Sequence, residues 1–130
     1  MRSERRILAF GVVAVLLIST VGAWAARTFG FQYWTLSFLS LAVYFAVGAV
    51  SVRGGASVAR ATGLGAVIGL VDVTVGWGLS AAIGPGRLED SPFGGATAII
   101  IGGLLALGIS VVAAWIGAVT GRRRTRAPAA

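Results

Sequence analysis

Residues 61–83 read ATGLGAVIGLVDVTVGWGLSAAI, a run of 23 residues with a single charged side chain, Asp72, at its centre. A helix that crosses the hydrocarbon core of a bilayer needs about 20 residues, so this run is long enough. An acid at the middle of such a helix costs roughly 3 kcal/mol on insertion scales. We therefore expect it to have a hydrogen-bonding partner, to be protonated or to have a functional role. We expect the rest of the chain to be arranged around Asp72.

The composition of the whole chain indicates a membrane protein. Of its 130 residues, 57% are hydrophobic and only 12% are charged, whereas a soluble domain carries about 25% charged residues. So few charges cannot cover a soluble surface, and lipid is the expected solvent for most of the chain. The chain has no cysteine and no histidine, which removes disulfides, thiol chemistry, imidazole bases and the commonest metal ligands.

Four apolar segments predict an all-α integral membrane protein, a bundle of four transmembrane helices in one domain. The predicted helices cover residues 7–26, 33–52, 61–83 and 95–120, and a basic tail, 121–130, is expected to be disordered. The first segment also fits a cleaved signal peptide loosely, because Ala23-Trp24-Ala25 has the small-x-small pattern of a cleavage site. Its apolar run is longer than a signal core, and Trp24 stands where an interfacial anchor would lie, so we favour an uncleaved helix.

The arginines predict the orientation of the bundle. Nine of the eleven lie in the N-terminal tail, the 53–60 connection and the C-terminal tail, and only Arg27 and Arg87 lie at the other side. The positive-inside rule then places both termini in the cytoplasm. Abundant Arg, Ala and Gly, which have GC-rich codons, suggest a bacterial source and thus the bacterial inner membrane. Four tail arginines are also expected to contact anionic lipid, and nucleic acid is not expected as a partner: Arg122, Arg123, Arg124 and Arg126.

Small residues recur at helical spacing on the third and fourth predicted helices and favour close helix packing. Gly65 and Gly69 form a GxxxG pair, the spacing that lets two helix backbones approach each other, and Gly76 lies on the same face. On the fourth helix the predicted packing face contains Gly102, Ala106 and Gly117. A pore with smooth walls is the alternative interpretation of these faces.

Depth along the helices places Asp72 near hydroxyl groups of two other helices. Tyr44 lies near the middle of the second predicted helix, Ser110 near the middle of the fourth, and Ser40 about one turn further out than Tyr44. A carboxyl group in hydrocarbon must be hydrogen-bonded, and hydroxyls serve it without a second charge. The sequence therefore predicts an intramembrane polar site of four residues with a neutral acid at its centre: Asp72, Tyr44, Ser110 and Ser40.

Two functional interpretations of this site remain open. In the first, the hydrogen bonds of the carboxyl group hold the bundle together or join it to another chain. In the second, the carboxyl group is a proton or cation site of the kind found in transporters. The leading prediction is a structural or accessory subunit of a membrane assembly, packed on itself or on another membrane protein. The alternative is a small oligomeric proton- or cation-coupled transporter or channel that uses Asp72.

Enzymatic activity is not predicted. The chain has no histidine base, and two of its four acids, Glu89 and Asp90, stand in a polar connection away from Asp72. No Gly-x-Ser-x-Gly elbow and no phosphate-binding loop occurs in the sequence. We expect no cofactor and no metal.

Overall fold

A computed structural model of the protein describes residues 2–84 and 95–125, and every regular element in that part of the chain is helical. The elements are α1 (Arg2–Phe29), a 3₁₀ turn (Tyr33–Leu36), α2 (Ser37–Arg53), α3 (Val58–Val71), a π-helical turn (Asp72–Gly76), α4 (Trp77–Ile83) and α5 (Gly95–Thr125). Because α3, the π turn and α4 follow one another without a break, the fold has four helices. Three described helices are long and apolar enough to cross a membrane: Ser3–Phe29, Val58–Ile83 and Gly95–Arg123. The predicted all-helical class is confirmed.

The second helix is shorter than predicted. The residues 33–36 form a 3₁₀ turn, and the α-helical part, α2, has 17 residues, or about 26 Å at 1.5 Å per residue. That falls somewhat short of a hydrocarbon core of about 30 Å, so the 3₁₀ turn must supply the remaining length if this segment crosses a bilayer. Thr35 stabilises the turn because its hydroxyl donates to the carbonyl of Gln32 at 2.7 Å.

The first and last helices of the chain are longer than predicted. α1 begins at Arg2, and α5 continues to Thr125, so residues 121–125 are helical where the sequence predicts a disordered tail. Arginine is a good helix former, and no proline occurs in this stretch to stop the helix. The rest of the predicted tail, 126–130, and the acids Glu89 and Asp90 lie outside the described residues.

α5 lies closest to α2, and the two helices run parallel. A Cβ atom built on Gly48 would overlap the backbone carbonyl of Ala114, and one built on Gly117 would overlap that of Phe45. The next turn repeats the pattern, with Gly121 against the backbone of Ala49. The absence of side chains at these glycines therefore sets the distance between the two backbones.

α3 packs antiparallel against α5, next to α2. Gly65 faces the side chain of Ala114, and Gly69 faces the side chain of Ser110. α1 completes the bundle parallel to the third helix, since Gly11 meets Ile68 and Ser19, two turns further along, meets Asp72. The small-residue faces of the third and fourth helices thus pack within one chain: Gly65 and Gly69 face α5, whereas Gly76 faces α1 and Gly117 faces α2.

Polar contacts join the helix ends. At one end Arg27 of α1 donates from Nη1 to the carbonyl oxygen of Ile83 at 2.9 Å, where α4 ends at Gly84 with a φ of +128°. A cation at this place also interacts favourably with the helix dipole. At the opposite, arginine-rich end, Arg60 of α3 lies 3.6 Å from Glu4 of α1. Exposed pairs of this kind contribute little to stability, about 0–1 kcal/mol.

Candidate functional site

Asp72 begins the π-helical turn, which replaces one regular turn of the long third helix. Thr74, an exposed residue of this turn, donates its hydroxyl to the carbonyl oxygen of Leu70 at 2.6 Å. A side-chain hydroxyl on that carbonyl competes with the backbone amides for the same acceptor, which favours a wider turn. Single π turns inside α-helices occur frequently at functional sites.

Both oxygens of the Asp72 carboxyl group accept hydrogen bonds from other helices. The Tyr44 hydroxyl of α2 donates to Oδ2 at 2.5 Å, and the Ser19 hydroxyl of α1 donates to Oδ1 at 3.0 Å. Asp72 is 8% exposed, Tyr44 5% and Ser19 3%. The carboxyl group therefore joins three helices at a buried point, which we call the carboxyl clamp (Asp72, Tyr44 and Ser19).

Ser110, predicted to meet Asp72, bonds elsewhere. Its hydroxyl donates to the carbonyl oxygen of Leu107 on its own helix at 2.8 Å, and its side chain lies directly over the backbone of Gly69. Because Gly69 has no side chain, Ser110 settles one turn away from Asp72 along α3. The second hydroxyl on the carboxyl group comes from Ser19 instead.

The contribution of Ser19 is absent from the predicted site, although the sequence contains a signal for it. Ser19 shares one face of the first helix with Gly11, Gly22 and Ala26 at helical spacing. The predicted site draws its hydroxyls from the second and fourth helices only. The same depth argument, applied to the first helix, places the Ser19 hydroxyl near the bilayer centre on a small-residue face.

Gly76 makes the contact between α1 and Asp72 possible. A Cβ atom on Gly76 would lie 2.6 Å from Oδ1 of Asp72 and 2.8 Å from Oγ of Ser19. These distances are shorter than real Cβ contacts allow, so any side chain here would push the two polar groups apart. The predicted packing role of Gly76 thus takes a specific form in the structure, which is room for one hydrogen bond.

We predict that Gly76→Ala destabilises the protein by about 1 kcal/mol, the net contribution of one buried hydrogen bond. The effect stays modest because the displaced atoms are ends of side chains. Gly78→Ala is the matched control, since a Cβ atom there has nothing within 4 Å. Unfolding in detergent micelles, followed by circular dichroism, measures both. Equal stabilities of the two variants would contradict the role assigned to Gly76.

A small cleft leads to the carboxyl clamp from the side of the 3₁₀ turn. It has a volume of ≈ 140 Å³ and is lined in part by Ser37, Ser40, Trp77 and Ala106, with Asp72 and Tyr44 at its inner end. Ser40 lies one turn before Tyr44 on α2 and lines the same cleft. One water molecule needs roughly 10–15 Å³ of cavity volume, so the cleft has room for several waters or one small hydrated ion.

Two of the predicted small residues shape this cleft. Ala106 forms part of its wall, and Gly102 lies 3.1 Å, measured from a built Cβ atom, from the ring of Trp77. A larger residue at position 102 would push the indole ring and change the cleft. Ser40 thus lines the cleft and Tyr44 bonds Asp72, while the fourth helix contributes apolar side chains to the wall, Ala106 and Ile109.

On the arginine-rich side of the clamp the interior is apolar. Val15 lies one turn before Ser19, and Ile68 one turn before Asp72, and both are fully buried. They form a core cluster with Tyr44, Val47 and Ala113. Among residues 2–84 and 95–125, no three acidic side chains lie close enough to hold a metal ion.

No protein-family model, curated protein or solved structure matches the chain.

Proposed function

We propose that this chain is a small multi-pass membrane protein that serves as a structural or accessory subunit of a membrane assembly. The observation that carries the proposal is the carboxyl clamp. Both oxygens of Asp72 are engaged by hydroxyls of two other helices, and the buried layer of Val15 and Ile68 lies directly behind them. A carboxyl group held in this way is well suited to lock α1 onto the bundle.

The surface of the bundle supports a position within lipid or against another membrane protein. Large apolar side chains recur along the outer face of α1, where each is more than half exposed: Phe10, Val13, Leu17, Val21 and Trp24. In water such a continuous patch would be a strong aggregation risk. The small-residue faces, by contrast, pack within the chain, so a partner would have to bind this outer surface and not the Gly65–Gly69 face.

The orientation we propose has both termini in the cytoplasm of a bacterial cell. It rests on the excess of arginine at one end of the bundle, nine against two. Since the chain has no cysteine, single cysteines placed at Ser3 and at Thr28 would report the sidedness directly. A thiol reagent that does not cross membranes should label Thr28→Cys from outside the cell and leave Ser3→Cys unlabelled; the reverse pattern would refute the orientation.

The second candidate is a proton- or cation-coupled transporter or channel, and the polar cleft favours it. Hydroxyl groups both donate and accept hydrogen bonds, so Ser19 and Tyr44 can satisfy Asp72 with or without its proton. Within the described residues Tyr44 is the only other titratable side chain in the clamp. Such a site can load and release a proton without leaving a polar group unpaired.

Asp72→Asn separates the two candidates because it keeps the shape and the hydrogen bonding of the carboxyl group but cannot titrate. If the protein is a structural subunit, the tagged wild type should migrate as an oligomer or with a partner on a native gel. Asp72→Asn should then migrate in the same way and change no ion flux. A wild type that migrates as a monomer would contradict the proposal, and pH-dependent flux in liposomes that disappears in Asp72→Asn would establish the transporter.

Gly69→Leu provides the complementary variant. A leucine at this position would collide with Ser110 of α5 and should separate two helices of the same chain. The structural proposal therefore predicts loss of assembly together with loss of thermal stability. Gly63→Leu on the same helix is the control, because nothing lies within 4 Å of a Cβ atom there.

A further inference from the structure

A long apolar groove follows α2 at the arginine-rich end of the bundle, and Ile7 and Phe10 of α1 form its second wall near that end. Its volume is ≈ 560 Å³, and its walls consist almost entirely of aliphatic and aromatic side chains, with one exception. The exception is Arg6, whose exposed side chain lines the end of the groove. The wall on α2 extends from Leu39 to Val50.

The contacts between the two antiparallel helices give the depth of the groove. Gly11 of α1 lies against Val47 of α2, and Gly22 lies against Leu36, so Leu39 is level with Ser19 of the carboxyl clamp. The groove therefore begins at the depth of Asp72 and ends near the first turn of α1. From Leu39 to Val50 it measures about 17 Å at 1.5 Å per residue, close to half of a hydrocarbon core of about 30 Å.

Positive charge gathers at the open end of the groove. Arg6 is at the depth of residue 52, and Arg53, three residues after Val50, continues the α2 face that forms the wall. Both arginines are exposed. Glu4 is the only acid before Asp72 in the sequence, and it is paired with Arg60 of α3.

We propose that this groove binds one acyl chain of an anionic phospholipid, with the phosphate held by Arg6 and Arg53. An apolar channel one leaflet deep with two cations at its mouth matches an amphiphile that has a long tail and a negative head. A second transmembrane helix would cross both leaflets and would bring no negative charge to the mouth unless it carried its own. Of the described C-terminal arginines, neither Arg122 nor Arg123 lines the groove. The proposal rests on the proposed membrane location but not on the role of Asp72.

The test titrates the purified full-length protein in mild detergent with phosphatidylglycerol or phosphatidylcholine of identical acyl chains and counts bound lipids by native mass spectrometry. One tightly bound phosphatidylglycerol per chain is expected. Each arginine near a phosphate contributes about 1 kcal/mol, so Arg6→Gln and Arg53→Gln should each weaken binding about fivefold. Arg123→Gln, at the end of α5, is the charge-matched control and should leave this site unchanged.

A second variant tests the groove itself without changing charge. Ala46→Phe places a ring in the middle of the α2 wall and should abolish the bound phosphatidylglycerol while the protein remains folded by circular dichroism. Equal binding of the two lipids, loss of binding in Arg123→Gln as large as in Arg6→Gln, or full binding by Ala46→Phe would each overturn the proposal. Ala46→Cys would give the chain its single thiol. Cross-linking of two copies through this thiol in the membrane would also overturn the proposal.

Discussion

Gly48→Ala is expected to lower the free energy of unfolding by about 3 kcal/mol, at the upper end of the range for overpacked cores. The new methyl group would overlap the backbone carbonyl of Ala114, and a backbone atom cannot rotate out of the way as a side chain can. The whole α2–α5 contact would have to open. Gly117→Ala should behave alike because it meets the carbonyl of Phe45.

The control for this substitution lies on α5 itself. A Cβ atom on Gly108 has nothing within 4 Å, and alanine is a better helix former than glycine by up to about 1 kcal/mol. Gly108→Ala should therefore leave the stability unchanged or raise it, so the same chemical change has opposite signs at two positions. Stabilities are measured by titrating a denaturing detergent into mild micelles, with helicity as the readout. Equal effects at Gly48 and Gly108 would show that the α2–α5 distance is not limited by these backbones.

The close α2–α5 packing shows where the sequence pattern stops being informative. Gly65 and Gly69 form the recognisable GxxxG pair, yet in the structure they meet side chains, Ala114 and Ser110. The tightest backbone approaches are those of Gly48 and Gly117; Gly117 belongs to the predicted packing face, whereas Gly48 is the single glycine of α2. Periodicity identifies the face of a helix that packs, but the distance between two backbones depends on which partner face it meets, and one segment does not contain that information.

The polar site was predictable to the extent that depth determines it. Tyr44 and Asp72 both lie at the centre of their segments, and their hydroxyl and carboxyl groups meet as expected. Ser110 is also central, but its hydroxyl has an acceptor on its own helix, the Leu107 carbonyl, which is available at any rotation of α5. A serine can always satisfy itself in this way, whereas a tyrosine hydroxyl extends too far from its own backbone and must find a partner on another helix. Tyrosine is thus the more informative residue.

Asp72→Leu is expected to destabilise the protein by about 1–3 kcal/mol, the cost of a buried polar group that loses its partner. The group left without a partner is the Tyr44 hydroxyl. The Ser19 hydroxyl can instead donate to a carbonyl of its own helix, as that of Ser110 does. Asp72→Asn should cost less, since an amide both donates and accepts and the two hydroxyls can reorient. Thr62→Val serves as control, because that hydroxyl donates to the carbonyl of Val58 on the same helix.

The decisive variant combines Asp72→Leu with Tyr44→Phe. Replacing both members of a buried hydrogen bond by apolar groups of similar shape is often nearly neutral, so the double variant should be more stable than Asp72→Leu alone although it carries one more substitution. Such a recovery would identify the Tyr44–Asp72 bond, and not the bulk of leucine, as the cause of the loss. If the two losses simply add, the hydroxyl and the carboxyl group act independently, and the carboxyl clamp does not hold α2 to the third helix. Because Ser19 is unchanged in both variants, the comparison also isolates this bond from the contact with α1.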